Sequence, residues 1–201
     1  MSPLDRLTEL FRDFPGIGPR QARRFVYFLL AANPNYRREL AKLIETSAAD
    51  IAQCESCFRY FPKDRQPSPF CRICKDPGRD QTSLMAVERD VDIESIERSG
   101  AFKGRYFVLG GTIPLASEEP EKFVRLRELR AAAERPELKE IVLGFSATTE
   151  GDHTRLLAEE WLKGVQEKGL RVTVLGRGLS TGSELEYADP ETIKAAILGK
   201  K

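Results

Sequence analysis

The sequence predicts a modular α/β protein with a helical N-terminal unit, a small four-cysteine unit, a parallel-sheet domain and a C-terminal loop and helix. Three observations carry that expectation. All four cysteines of the 201-residue chain fall between Cys54 and Cys74, so any unit they organise is local. Ahead of them, apolar residues recur at helical spacing. Behind them, short β-rich runs alternate with helical stretches, the pattern of a parallel sheet joined by crossover helices.

The first helix is read from Leu4, Leu7, Leu10, Phe11 and Phe14, and it ends where Pro15-Gly16-Ile17-Gly18-Pro19 breaks the periodicity. A second helix starts near Pro19 and runs through Ala22, Phe25, Val26 and Leu29 to Asn33-Pro34, and a third is expected over 36–53. Roughly 50 helical residues make a marginal core alone, so these helices are expected to pack on a partner subunit.

Two amphipathic helices joined by Phe14-Pro15-Gly16-Ile17-Gly18 form a helix-hairpin-helix pattern. Its glycines let backbone N–H groups approach a phosphate, and the following helix adds its positive end. The net charge is only +1, yet from Phe14 to Arg38 the chain carries Arg20, Arg23, Arg24, Arg37 and Arg38 with no acid. Arg20 and Arg24 share a face and are the predicted DNA-backbone contacts, while Arg23 is expected to point partly elsewhere. Phosphate contacts carry no sequence information, so binding here should be non-specific and salt-sensitive. The plain alternative is a helical turn with solvated arginines.

Cys54-x2-Cys57, thirteen further residues and Cys71-x2-Cys74 let two tight turns supply two thiolates each to one tetrahedral metal ion. Such a shell has no position for water, so the predicted Zn2+ is structural. The start of the chain lacks the apolar core of a signal peptide, and no apolar run nears the roughly 18 residues that span a membrane. A cytoplasmic protein is therefore expected, where paired motifs of this kind are metal ligands rather than disulfides. The bland alternative is four reduced cysteines without a metal.

Strands are predicted over 83–87, 106–109, 141–145 and 172–175, with helices over 92–99, 121–133 and 152–168. Glu88, Asp90, Asp92, Glu94 and Glu97 crowd one acidic segment after the first strand, and Glu150-Gly151-Asp152 opens the helix after the third. In a parallel sheet Glu88 and the Glu150–Asp152 pair both emerge on the carboxyl edge, where ligands bind. Converging carboxylates suit Mg2+. Equally, Asp152 is a sufficient helix cap and Glu150 a solvated acid favoured near a helix start. His153, the single histidine, reads as an exposed helix residue, and no nucleophile with a positioned base is apparent. The glycine-rich stretch 176–182 lacks the Lys-Ser/Thr ending of a P-loop and reads as a connection or subunit contact.

In this order the motifs resemble one family, the bacterial recombination mediator RecR, over nearly the whole chain. Phe14-Pro15-Gly16-Ile17-Gly18-Pro19-Arg20 resembles its hairpin, the cysteine pairs its zinc finger, Tyr106-Phe107-Val108-Leu109-Gly110-Gly111 its Toprim core, and Leu185-Glu186-Tyr187-Ala188-Asp189 its C-terminal signature. The resemblance implies a helix-hairpin-helix domain over 1–53, a zinc finger over 54–80, a Toprim domain over 81–176 and a C-terminal loop and helix over 177–201. It puts Glu88, Asp92, Glu150 and Asp152 at the family's acidic positions, as a partner-binding surface or Mg2+ site. It implies a non-enzymatic homodimer or homotetramer that surrounds DNA and works with RecO and RecF to load recombinase on gapped DNA. Three departures stand out: the 58–70 connection is longer than usual, Phe107 occupies a position where a His is common, and Ser180 and Thr181 stand where the family often has Pro-Val.

The main rival is a Mg-dependent Toprim nuclease or another Toprim enzyme, whose acids would hold the metal for phosphoryl transfer. The chain is too short for the added domains of a topoisomerase or a primase. An RNA-associated zinc module is a third reading, since backbone contacts tolerate either nucleic acid.

Overall fold

The computed structural model describes residues 1–64 and 66–176 together with Pro190 and residues 192–194. Most of the expected 177–201 loop and helix, including the signature over 185–189, lies outside the described residues. The chain divides into two compact units, Met1–Ile51 and Ala52–Lys201.

The first unit is all helical: α1 (Pro3–Arg12), α2 (Pro19–Ala31) and α3 (Pro34–Asp50). A capping box starts α1, in which Ser2 Oγ accepts the Asp5 N–H and Asp5 Oδ2 accepts the Ser2 N–H, both at 3.2 Å. The third helix departs from the expected 36–53 at both ends. Asn33 Oδ1 accepts the Asn35 N–H at 2.8 Å, and Pro34 at the first helical position carries no N–H to strand, so α3 starts two residues early. It stops at Asp50 because the next residues are drawn into a strand, β1 (Ile51–Gln53), which pairs with β2 (Tyr60–Pro62). Arg37 Nη1 donates to the carbonyls of Leu29, Leu30 and Ala32 at 2.9–3.1 Å, closing the end of α2.

The second unit continues with α4 (Arg72–Lys75), β3 (Asp80–Val87), α5 (Asp90–Ser99), β4 (Gly104–Val108), α6 (Leu126–Ala133), β5 (Glu140–Gly144), α7 (Thr149–Gln166) and β6 (Arg171–Val174). The four longer strands form one parallel sheet in the order β4-β3-β5-β6. All four predicted strands are present, each beginning one to three residues earlier than expected. The helix expected over 121–133 is split into a 3-10 turn at Pro120–Lys122 and α6. Arg125, between them, is held outside the helix because its N–H bonds Leu109 O at 3.0 Å and its guanidinium bonds Val108 O at 3.1 Å.

Alternation along the strands sorts the core into two faces. Leu84, Ala86, Phe107, Ile141 and Leu143 pack with Leu126 and Leu129 of α6 and Ala158 and Leu162 of α7. Met85, Val87, Tyr106 and Val108 face the other way, against Ile93 of α5 and against Cys54, Cys57, Cys71 and Ile73. The four-cysteine segment thus helps bury one face of the sheet. At its amino end, Arg79 pairs with both oxygens of Glu97, and the Tyr106 hydroxyl donates to the same carboxylate at 2.7 Å. The arginine holds the Glu97 carboxyl below the usual range, and burial pushes the Tyr106 hydroxyl up.

Candidate metal centre and nucleic-acid interface

The four thiols come together. The Sγ atoms of Cys54, Cys57, Cys71 and Cys74 all lie within 4.8 Å of one another, and no other set of three or more metal-ligating side chains does so among the described residues. Cys57 Sγ and Cys71 Sγ are 3.7 Å apart. A disulfide would need about 2.0 Å. Four sulfurs at the usual zinc distance of about 2.3 Å form a tetrahedron with edges of about 3.8 Å, which this separation matches.

Each pair is set by a local turn. Between β1 and β2 the Cys54 N–H donates to Arg59 O and the Phe58 N–H to Cys54 O, both at 2.8 Å, and Phe58 turns the chain with φ +61. In the second pair the Lys75 N–H bonds Cys71 O at 3.1 Å as α4 begins. The Cys71 N–H points at Cys54 Sγ across 3.3 Å, a donor suited to a thiolate. The turn is fastened to the sheet by the Val108 N–H on Cys57 O at 2.8 Å. Hydrogen bonds from the neighbouring thiols, Cys57 first, lower the Cys54 thiol, and the bond to Cys54 raises that of Cys57. Thiols this close share protons unevenly, and a cation among them is what allows all four to ionise.

Phe58 and Phe107 meet edge to face with centroids 5.3 Å apart, and the Arg125 guanidinium stands 5.0 Å over the Phe58 ring. Phe107 therefore fills a fully buried apolar site under the first knuckle. Sequence reasoning missed Phe58 as a left-handed turn residue, since only glycine advertises that conformation.

The acids are placed differently. The link out of β3 leads to β4 on one side and the link out of β5 leads to β6 on the other, so the sheet's switch point lies at the carboxyl ends of β3 and β5. Glu88 is there, nearly buried, and its Oε1 accepts both the N–H and the hydroxyl of Ser146, at 2.7 and 2.8 Å. Asp92 accepts the Arg89 N–H at 2.8 Å at the start of α5. Glu150 accepts the Thr112 hydroxyl at 3.1 Å, and Asp152 lies 3.6 Å from Arg155 Nε. The cap of α7 is Thr148, whose Oγ1 accepts the Gly151 N–H at 3.1 Å, and not Asp152. Asp152 sits one turn too late to cap, and Gly151 is required because a Cβ there would lie 2.2 Å from Ser146 O. His153 is partly buried rather than exposed, with Nε2 buried and without a hydrogen-bond partner.

In the first unit the hairpin runs from Phe14 to Gly18, with Gly16 at φ +74 and open space around both glycines. The N-terminus of α2 has Gly18 as its cap, Pro19 next, no side-chain cap and no acid in its first turn. Beside it a cleft of about 480 Å³ is lined by Thr8, Arg12, Pro19, Arg20, Arg23, Arg24 and Tyr27. Arg23 lines it together with Arg20 and Arg24, because the cleft lies along the α1–α2 seam and spans more than one helical row. Arg12, on the neighbouring helix, is the residue that sequence spacing could not bring in. On this unit as a whole Tyr27, Phe28, Leu30, Leu43 and Ile44 are each more than half exposed, and only Thr8, Ala22 and Val26 are buried.

Comparisons with known proteins agree along the chain. A family described as "RecR, helix-hairpin-helix" matches residues 4–48, the Toprim domain family matches 82–176, and "RecR, C-terminal" matches 178–201. Recombination protein RecR of Chloroflexus aggregans is 38% identical over 200 residues, covering 100% of this chain and 94% of that protein. Its counterparts in Chloroflexus aurantiacus and Frankia alni are 37% and 39% identical, over 100% and 98% of this chain and 94% of each relative. No helix among the described residues is long and apolar enough to cross a membrane.

Proposed function

Because the chain belongs to the RecR family of recombination proteins, we propose that it is a non-catalytic, DNA-binding recombination mediator that acts with RecO and RecF to load recombinase on gapped DNA. The observation that carries the DNA-binding part is the cleft that gathers Arg12, Arg20, Arg23 and Arg24 beside the open, acid-free start of α2. Four arginines line one cleft there beside a helix start, which suits a phosphodiester backbone and reads no base.

Zn2+ is held by Cys54, Cys57, Cys71 and Cys74 on this reading, and its chemistry is structural, because a fourth thiolate leaves no open position. The acids support a non-catalytic role. Glu88 is engaged by Ser146, Asp92 by Arg89, Glu150 by Thr112 and Asp152 by Arg155, so each serves the fold. The carboxyl-edge acids also suit a basic partner surface, with RecO as the proposed occupant. The exposed apolar residues of the first unit suit burial against a second copy in a homodimer or homotetramer.

The decisive experiment is a salt titration of DNA binding by the wild-type protein and the Arg20→Ala/Arg24→Ala double variant. Loss of two phosphate contacts should flatten the log–log salt slope by about 1.8 on duplex DNA. An unchanged slope rejects the hairpin as the interface. Magnesium-dependent DNA cleavage that is lost on Glu150→Gln would replace the mediator reading by the nuclease one.

A further inference from the structure

A second cleft, of about 490 Å³, lies in the sheet-bearing unit and is lined by Glu55, Ser56, Phe70, Cys74, Arg105, Arg135 and Glu137. It sits at the amino edge of the sheet, on the side away from Glu88: Arg105 is the second residue of β4, and Arg135 follows α6 just before β5. Its volume is within the range of small-ligand sites.

Three features give the cleft a chemistry. First, neither arginine has an ion-pair partner among the described residues, although Glu55 and Glu137 line the same space, and Arg105 Nε is buried without any hydrogen-bond partner. Buried donors are normally satisfied, and with no acceptor for Arg105 Nε among the described residues the guanidinium is uncommitted and able to receive an anion. Second, Phe70 is 41% exposed while its backbone is held on both sides by Ser68, whose hydroxyl accepts the Phe70 N–H and donates to Phe70 O at 3.2 Å. A ring carried on an anchored backbone and open to solvent is a stacking platform. Third, the two glutamates are acceptors, able to take hydrogen bonds from the amino groups of an unpaired base.

We infer that this cleft binds one nucleotide of a single-stranded nucleic acid, with Arg105 and Arg135 on its phosphate and Phe70 against its base. A duplex would not serve, because its base faces and amino groups are already engaged. The inference rests on the reading of the chain as a nucleic-acid-binding protein but concerns a surface separate from the hairpin.

The test measures binding of a fluorescent oligo(dC) strand and of a duplex by the full chain across salt concentrations. For Arg105→Gln/Arg135→Gln the single-strand salt slope should flatten by about 0.7, one phosphate's worth, while Arg105→Lys/Arg135→Lys keeps the wild-type slope. Phe70→Ala should weaken the single strand about fivefold and leave the duplex unchanged. Zinc content and Trp161 emission serve as folding controls for every variant. Wild-type slope and affinity in the Gln variant, with the Arg20→Ala/Arg24→Ala variant impaired, overturn the cleft alone and leave an acidic peptide as its better occupant. A wild-type protein that binds neither DNA overturns this inference and the proposed function together.

Discussion

Removal of the metal should destabilise the sheet and not merely loosen a finger. Cys54, Cys57 and Cys71 share one buried cluster with Met85, Val87, Ile93, Tyr106 and Val108, and the Cys57 carbonyl accepts the Val108 N–H at 2.8 Å. Without a cation the sulfurs must remain largely protonated, the turns lose their common anchor, and that face of the sheet loses its cover. A ligand present at about a thousand times its dissociation constant stabilises a fold by about 4.1 kcal/mol. For a unit of roughly 150 residues, Ala52–Lys201, each kcal/mol moves Tm by about 2–4 °C, so chelation should lower it by about 8–16 °C. Trp161 makes the assay specific: it is the only tryptophan of the chain and packs against the core cluster on the α6–α7 face of the sheet. Its emission, followed during heating with and without chelator, reports on this unit from the face opposite the thiols. Confirmed loss of metal with an unmoved Trp161 transition would refute the shared-core argument. A purified protein with no metal would refute the zinc reading itself.

Three other outcomes follow from the same geometry. Phe58→Ala and Phe58→Gly both delete the ring under Arg125, but the position has φ +61, so glycine should be the less damaging by about 1 kcal/mol in urea unfolding, the reverse of the usual order. Glu88→Ala leaves the part-buried Ser146 N–H and hydroxyl without their acceptor and should cost about 2 kcal/mol, whereas Glu88→Gln keeps an acceptor oxygen and should retain most of that stability. The Glu97 carboxyl is lowered by Arg79, so its folded pKa lies below the unfolded value; its stabilisation is complete above the ordinary carboxylate range and is lost as pH falls through the folded value. Chemical denaturation between about pH 5 and pH 2 should therefore show a steeper acid loss in the wild type than in Glu97→Gln.

The fold was legible where periodicity and side-chain chemistry agreed. The strands announced themselves through runs such as Leu84-Met85-Ala86-Val87, and the alternation within them also determines which residues meet α6 and α7 and which meet the cysteines. The cysteine spacing was enough to predict the thiol cluster, because two tight turns leave few other arrangements. What was not legible depended on partners distant in sequence. The Asn33 cap overrode the apolar pattern at the start of α3, the bonds from Arg125 to Leu109 and Val108 interrupted an otherwise helical stretch, and Thr148, a turn before Asp152, took the cap of α7. Arg12 and Arg23 entered the hairpin cleft because α1 and α2 pack together, which no helical wheel of α2 contains.

The acidic edge shows how one set of residues can serve either of two functions. Carboxylates beside a switch point are what a magnesium-dependent phosphoryl-transfer site needs, and the sequence places Glu88, Asp92, Glu150 and Asp152 near one. Whether they act as a site depends on what else donates to them. Here Ser146 reaches across from β5 with two donors to one Glu88 oxygen, and that pair bridges the ends of the two strands between which a ligand would enter. A metal would have to compete with a backbone N–H that has no other acceptor among the described residues, at the cost of leaving it unpaired. Meanwhile Arg105 and Arg135, which have no ion-pair partner among the described residues, sit at the opposite edge, and the hairpin arginines belong to the other unit. On the proposed reading, nucleic acid is therefore held where cations are unpaired, and the acids of the carboxyl edge hold the fold and face a basic protein.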